Sequence, residues 1–336
     1  MVNVGVIGYG YWGPNLVRNF MVNSDTKVLS VCDRDPIRLE KVQNLYPAVK
    51  VTTKAEDLIT DNEVNVIVIA TPVASHFDLA LAALKAGKHV WVEKPITATS
   101  EQASRLIDEA NSKNLILLVD HTFVYTGAVR KMREITKDPS FGKLQYYDSA
   151  RVNLGIFQHD VNVLWDLAVH DLTIMSYVID EKPVAVSATG YSHIKGQPEN
   201  MAFMTVFFDN DLIAHINVNW LSPVKIRRTL VGGSKRMIVY DDTENSEKLK
   251  IYDSGIKITE TPDDIHKLMI SYRTGDLWSP KVDAWEALQV EVEHFVACIQ
   301  ANQKPLTGGE EGLRIVRILE AADFSMRDRG VPVNLK

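Results

Sequence analysis

Two short stretches of this 336-residue chain carry side chains suited to moving a proton: Glu93-Lys94-Pro95 and Trp165-Asp166-Leu167-Ala168-Val169-His170-Asp171. Pro95 keeps Lys94 extended and raises the chance of a cis bond, and either fixes where the lysine points. A lysine held that way can hydrogen-bond a substrate hydroxyl and stabilise oxyanion character as hydride leaves. In the second stretch a helix would put Asp166 and His170 on one face. Histidine titrates near neutrality, so His170 can accept the proton of an alcohol whose carbon gives up a hydride. Asp166 would raise its basicity or orient the lysine, while Asp171 falls on another face and would meet neighbouring backbone. From these residues alone, a solvated lysine beside a turn proline and a helix-surface ion pair remain open. Zinc is not indicated, because no other histidine or cysteine falls at ligand spacing nearby.

A hydride needs an acceptor, and the start of the chain offers a place for one. Val4-Gly5-Val6-Ile7 is a strand-length apolar run leading into Gly8-Tyr9-Gly10-Tyr11-Trp12-Gly13, followed by residues of helical character. Strand, glycine turn and helix form the context in which G-x-G-x-x-G acquires meaning. Gly8 allows the turn, Gly10 lets backbone approach a pyrophosphate, and Gly13 lets the helix pack against the strand with free N–H groups at its start. Val28 to Asp33 reads as a second strand ending in a carboxylate. Such an acid accepts hydrogen bonds from ribose hydroxyls and repels a 2′-phosphate, pointing to NAD over NADP. Arg34 beside it is able to bind that phosphate, which tempers the preference.

Softer candidates lie at other strand ends. Thr71-Pro72 closes a buried strand and leads to His76; Thr71 lies where a dinucleotide would pass, and His76 is equally able to support a helix turn. His121, after Asp120, faces the same crevice. Arg151 and Asn153 would bind an anionic or hydroxyl-rich substrate, and Lys225, Arg227 and Arg228 form a small basic cluster. Each is as readily interface or solvated surface.

Around these residues, 1–119 alternate strand and helix: Pro36 to Leu45, Ser75 to Ala86 and Ser100 to Lys113 read as helices. Val64 to Ala70 is a continuous β-branched run of the kind buried on both faces of a parallel sheet. The expected architecture is a Rossmann-type doubly wound parallel sheet with its ligand crevice at the strand carboxyl ends. From Gly142 strands dominate, interrupted by a helix at 162–179 and closed by helices at 284–301 and 309–329. Residues 254–283 read as a loop-rich excursion. Turns such as Asp209-Asn210-Asp211 favour a mostly antiparallel open-sheet α+β domain over 120–336. A sheet face without its own helical cover predicts a homodimer, or a tetramer built from it.

Composition bounds the function. The chain is 46% hydrophobic and 24% charged, with 37 basic and 43 acidic side chains and net charge −6. No basic block is present, so nucleic acid is not an expected partner. Cys32 and Cys298 sit in apolar patterns and read as buried free thiols, although one disulfide stays open. Met1 runs almost at once into a strand, leaving no room for a signal peptide. No apolar run reaches membrane-spanning length, and a cytoplasmic enzyme is the expectation.

The order of these motifs over nearly the whole chain resembles the Gfo/Idh/MocA family of nicotinamide-dependent sugar oxidoreductases. The resemblance implies hydride transfer to NAD(P) from a secondary alcohol of a sugar, polyol or sugar nucleotide. It implies Lys94 polarising the reacting oxygen, His170 as general base and Asp166 orienting them. It places the cofactor on Gly8, Gly10, Tyr11, Trp12, Gly13, Asp33, Arg34, Thr71, Pro72, His76, Glu93 and Lys94. Arg151 to Gly155, Val163 to Asp171 and Asn219-Trp220-Leu221-Ser222-Pro223 resemble the branch that oxidises nucleotide-linked amino sugars. That branch implies a 3-keto UDP-sugar, aminated afterwards for surface polysaccharide or lipid A, with Arg151 and Lys225 against the diphosphate. His121-Thr122-Phe123 replaces an asparagine-arginine-phenylalanine type of segment common in relatives. Alternatives are an inositol or free-sugar dehydrogenase, and a non-catalytic NAD sensor.

Overall fold

Four consecutive residues with no exposed face, Val66–Ile69, set the architecture of the N-terminal half: a strand buried on both sides needs strand neighbours at its edges and helices on its faces. A computed structural model describes residues 1–155, 161–258 and 270–335. Its first sheet comprises β1 (Val2–Ile7), β2 (Thr26–Cys32), β3 (Lys50–Thr52), β4 (Val66–Ile69), β5 (His89–Glu93) and β6 (Leu117–Asp120). The spatial order is β3-β2-β1-β4-β5-β6, and every pairing is parallel. The order reverses between β1 and β4, which is where such a sheet opens a crevice at the strand ends. The connecting helices are α1 (Gly13–Val22), α2 (Pro36–Leu45), α3 (Ala55–Ile59), α4 (His76–Lys85) and α5 (Ser100–Ser112). Asp35 caps α2 through the Ile37 N–H, and Thr99 caps α5 through Gln102.

The second sheet is built from β7 to β17, omitting two strands that pair with each other. After α6 (Gly127–Lys137) and β7 (Leu144–Leu154) comes a π-helical turn, Leu164–Ala168, then α7 (Val169–Val178). There follow β8 (Pro183–Tyr191), β9 (Met201–Phe208), β10 (Ile213–Asn219), β11 (Leu221–Gly233), β12 (Met237–Asp241) and β13 (Leu249–Tyr252). β14 (Gly255–Ile258) and β15 (Ile270–Arg273) pair only with each other, and β16 (Leu277–Trp278) returns to the large sheet. After α8 (Ala287–Ala301) and α9 (Gly309–Arg327), β17 (Val333–Asn334) closes the opposite edge. The nine strands run β16-β13-β12-β11-β7-β10-β9-β8-β17. As expected the pairing is mostly antiparallel, with β7–β10 a parallel pair. Alternation along β9 buries Ala202, Met204 and Val206 on one face and leaves Phe203 exposed on the other. The excursion expected at 254–283 holds three short strands, while 259–269 lie outside the described residues.

Two compact units result: Met1–Tyr125 with Trp285–Glu320, and Thr126–Ala284 with Ala321–Lys336. A single cut after 119 therefore misses the return of the later helices. The reason is aromatic packing. Trp91 of β5 is fully buried, with Phe20 of α1 and Phe295 of α8 meeting it edge-on, each at a centroid distance of 5.4 Å. Two such pairs add about 1–3 kcal/mol beyond the area they bury. Arg18 and Asn19 of α1 also donate to Glu286, just before α8. Cys32 and Cys298 are free and buried, and burial pushes the Cys32 thiol up to about 11. Among the described residues no helix is long and apolar enough to cross a membrane.

Candidate active site

The glycine turn is shaped by contacts that only glycine permits. Gly8 has φ +101°, and a β-carbon there would lie 2.3 Å from the Ala70 carbonyl oxygen. At Gly13 it would lie 2.2 Å from the Gly8 carbonyl oxygen, so α1 starts directly on the end of β1. At Gly10 the nearest atom is an Arg38 guanidinium nitrogen at 3.4 Å, which leaves that side of the turn open. No side chain caps α1 and its first turn holds no acid, so the positive end of the helix is available to an anion. The Asp33 carboxylate accepts from the Tyr9 N–H at 2.7 Å and the Asp35 N–H at 2.9 Å, with Arg38 at 3.4 Å. It is thereby fixed at the end of β2 beside the turn. Tyr11 and Arg34 are exposed. These residues fit a dinucleotide: an open glycine cradle, an uncapped helix start and an anchored acid.

Thr71 follows β4, and its hydroxyl accepts from Ser75 Oγ at 2.8 Å. His76 is 1% exposed, and its ring nitrogens meet the Pro95 and Thr71 carbonyl oxygens at 2.9 and 2.7 Å. Burial lowers its pKa. This histidine therefore ties the Thr71-Pro72 strand end to the segment after Lys94. The Lys94–Pro95 peptide is cis. The Lys94 N–H donates to its neighbour Glu93 at 3.2 Å.

At the end of β6, Asp120 accepts from the Trp12 indole N–H at 2.9 Å, so the glycine turn is held from a second strand end. His121 is 2% exposed, and burial pushes its imidazole down to about 4. It is neutral at physiological pH and embedded in the first unit, which corrects its expected place as an open substrate contact. Its N–H donates to Glu291 of α8 at 3.1 Å.

In the second unit the expected α-helical register of Asp166 is replaced by the π-turn, a distortion often found at functional sites. Asn162 Oδ1 accepts from the Leu164 and Trp165 N–H groups, and Asp323 accepts from Asn162 and from the Trp165 indole. Asp166 Oδ2 accepts from the Trp220 indole at 3.1 Å. Trp220 is buried, and a β-carbon at Gly155 would lie 2.5 Å from its ring. His170 is partly exposed at the start of α7.

Arg151 is a correction. It is 2% exposed, and it donates through Nε and Nη2 to Asp171 at 2.7 and 3.2 Å. Ser149 also donates to Asp171. The buried ion pair joins β7 to α7, so this guanidinium does not stand open to solvent as the expected diphosphate contact would. Asn153 Oδ1 is buried with no hydrogen-bond partner among the described residues. Lys225 is exposed where the β7–β11 register breaks between Leu221 and Ile226. The sequence placed Asp120 at a strand end facing the crevice without its contact to Trp12, and it did not single out Arg38, Glu291 or the pairing of Trp220 with Asp166. Asp120 had a signal in its strand-end position; Glu291 had none.

Residues 2–121 match the oxidoreductase family with the NAD-binding Rossmann fold, and 129–239 match the GFO/IDH/MocA C-terminal domain. The chain belongs to the Gfo/Idh/MocA family. It is an oxidoreductase with an NAD-binding domain. A UDP-N-acetylglucosamine 3-dehydrogenase from Acidithiobacillus ferrooxidans is 25% identical over 94% of both chains. Its solved structure superposes with TM-score 0.81, 23% identity and coverage of 97% of this chain and 98% of that one. A myo-inositol 2-dehydrogenase from Thermotoga maritima is 20% identical over 98% of this chain and 97% of its own. A levoglucosan dehydrogenase solved with NADH and levoglucosan shares the fold, with TM-score 0.82 at 18% identity over 99% of both chains.

Two outcomes follow from this geometry. Asp33→Ser leaves Arg34 and Arg38 beside the turn, so the NAD/NADP ratio of kcat/KM should fall about tenfold or more, the worth of a lost hydrogen bond to a charged group. An unchanged ratio would show that Asp33 does not select the cofactor. Arg151→Ala strands the buried Asp171 carboxylate and should lower the unfolding free energy in urea by about 3–5 kcal/mol. Intact stability with a raised substrate KM would instead restore the anion-binding role.

Proposed function

We propose that this protein is an NAD-dependent dehydrogenase that oxidises a secondary ring hydroxyl, at C3 of a UDP-linked amino sugar, to a 3-keto sugar. Lys94 carries the reading, because it stands at the carboxyl end of β5 in the same Rossmann unit as the glycine cradle. Lys94 hydrogen-bonds the reacting oxygen and stabilises negative charge as it develops. His170 takes the hydroxyl proton at a ring nitrogen. Asp166, already held at one oxygen by Trp220, orients the proton-transfer groups. Bound NAD supplies the hydride acceptor. The near-complete coverage by the A. ferrooxidans relative supports the amino-sugar substrate. A 3-keto product is a ready substrate for an aminotransferase, in surface polysaccharide or lipid A assembly.

One observation favours a second reading, oxidation of inositol or another free polyol. The arginine expected to neutralise a diphosphate is consumed by Asp171, and the T. maritima relative also aligns end to end. Lys225 remains as the diphosphate contact on the first reading.

For subunit association we propose a homodimer, or a tetramer built from it, through the open face of the large sheet. Phe203 and Ile213 stand 42% and 45% exposed there, and Phe203 stacks on His215.

Absorbance at 340 nm should rise with NAD and UDP-GlcNAc, glutamate and an aminotransferase pulling the reaction forward, and not with myo-inositol or glucose. Signal with inositol would establish the polyol reading; silence across the panel with NAD bound would make the protein a sensor. His170→Ala should cost roughly 10²–10⁴-fold in turnover while NAD binding persists, and an active variant would remove the histidine from its role. Light scattering at micromolar concentration should give a dimer or tetramer mass; monomer alone would refute the interface.

A further inference from the structure

Three carboxyl groups from three elements converge in the first unit. Glu93 and Asp120 are register partners across β5 and β6, and Glu291 enters from α8. Asp120 is 2% exposed and Glu291 0%. Asp120 is within hydrogen-bonding reach of both glutamates. Each already accepts a hydrogen bond from a neighbouring donor. The Trp12 indole and Thr122 hydroxyl go to Asp120, the Lys94 N–H to Glu93 Oε2, and the His121 N–H to Glu291 Oε1. Glu93 Oε1 and Glu291 Oε2 remain, both sealed from water and without a hydrogen-bond partner among the described residues.

An ionised oxygen left in that state costs a full desolvation penalty, whereas a carboxylic acid can turn its O–H toward a neighbouring carboxylate. Three adjacent buried carboxylates would also repel one another. The surrounding charges agree. Burial and then Asp120 push both glutamates well above the usual carboxylate range, with Lys94 opposing at Glu93. His121 is neutral, and the Tyr125 phenol facing Glu291 is pushed up by burial. Among the described residues no such group is arranged to hold a metal ion. Acid O–H groups on Glu93 and Glu291 directed at Asp120 would satisfy both orphaned oxygens.

We propose that Glu93, Asp120 and Glu291 form a carboxyl triad, two acids donating to one carboxylate, that holds the Trp12 indole and so presets the glycine turn for the dinucleotide. Trp12 lies between Gly10 and Gly13, so fixing its ring fixes the backbone that a pyrophosphate would meet. Preset backbone saves ordering entropy on binding. Glu291 is a positioning residue: it acts through Asp120 and Trp12. The inference rests on the NAD-binding turn and is independent of which sugar is oxidised.

NADH binding, followed by fluorescence titration of the full chain without substrate, tests it. Glu291→Gln keeps a donor for Asp120 and an acceptor for the His121 N–H, and its Kd should stay within about twofold of the native value. Glu291→Leu supplies neither and should raise Kd about tenfold, the scale of one hydrogen bond to a charged group. Trp12→Phe should weaken binding similarly, and adding Glu291→Leu to it should cost little more, because the anchor is already cut. A general packing role would not produce that non-additivity. Full additivity, an unchanged Kd in Glu291→Leu, or a Gln variant as weak as the Leu variant would each overturn the triad. Should Glu291→Leu not fold, the Gln variant decides: native affinity supports the triad, and tenfold loss refutes it. A native protein that binds NADH but oxidises no sugar would remove the proposed function and leave this test intact.

Discussion

The approach of Gly13 to Gly8 constrains much of what surrounds it. With 2.2 Å between a hypothetical β-carbon and the carbonyl oxygen, no other residue lets α1 begin on the end of β1 without moving the backbone. Once it begins there, the uncapped helix start, the open side of Gly10 and the Tyr9 N–H are placed together, and the last of these finds Asp33 on the neighbouring strand. Tyr9 and Trp12 pack the turn onto the core, and polar contacts from strand ends hold it from either side. Asp33 holds one side from β2 and Asp120 the other from β6. His76 similarly joins the end of β4 to the segment carrying Lys94.

That arrangement explains why a helix distant in sequence belongs to the first unit. α8 covers Trp91 through Phe295 and brings Glu291 to the carboxyl end of the sheet. Apolar burial supplies the attachment and the carboxyl supplies the register. In the second unit the same division recurs. The large sheet is packed on one face, while the Arg151–Asp171 pair and the Trp220–Asp166 hydrogen bond set the orientation of the segment bearing His170.

Much of this was legible in the sequence, for reasons that can be named. α2 and β5 fall where Pro36 to Leu45 and His89 to Glu93 place them, because proline, glycine and β-branched runs act locally. Arg151 was misread although a local signal existed: Tyr147, Ser149 and Arg151 alternate onto one face of β7, and all three are buried. Period two assigns the arginine to the covered face, where it needs an acid, and Asp171 is that acid. The π-turn at Leu164–Ala168 had no such signal, since it depends on Asp323 binding Asn162 and Trp165. Glu291 was invisible for the same reason. Its partner lies 170 positions away, and an unremarkable helical glutamate becomes informative only when it is found sealed beside two other carboxyls.

The proposed reaction moves a hydride from one ring carbon, C3, to NAD. UDP-N-acetylglucosamine deuterated at C3, incubated with the protein, NAD, glutamate and an aminotransferase, tests it through the mass of the NADH formed. NADH heavier by one mass unit, with the label gone from the sugar, is the expected result. NADH formed without deuterium would contradict it, because the hydride would then have come from another carbon.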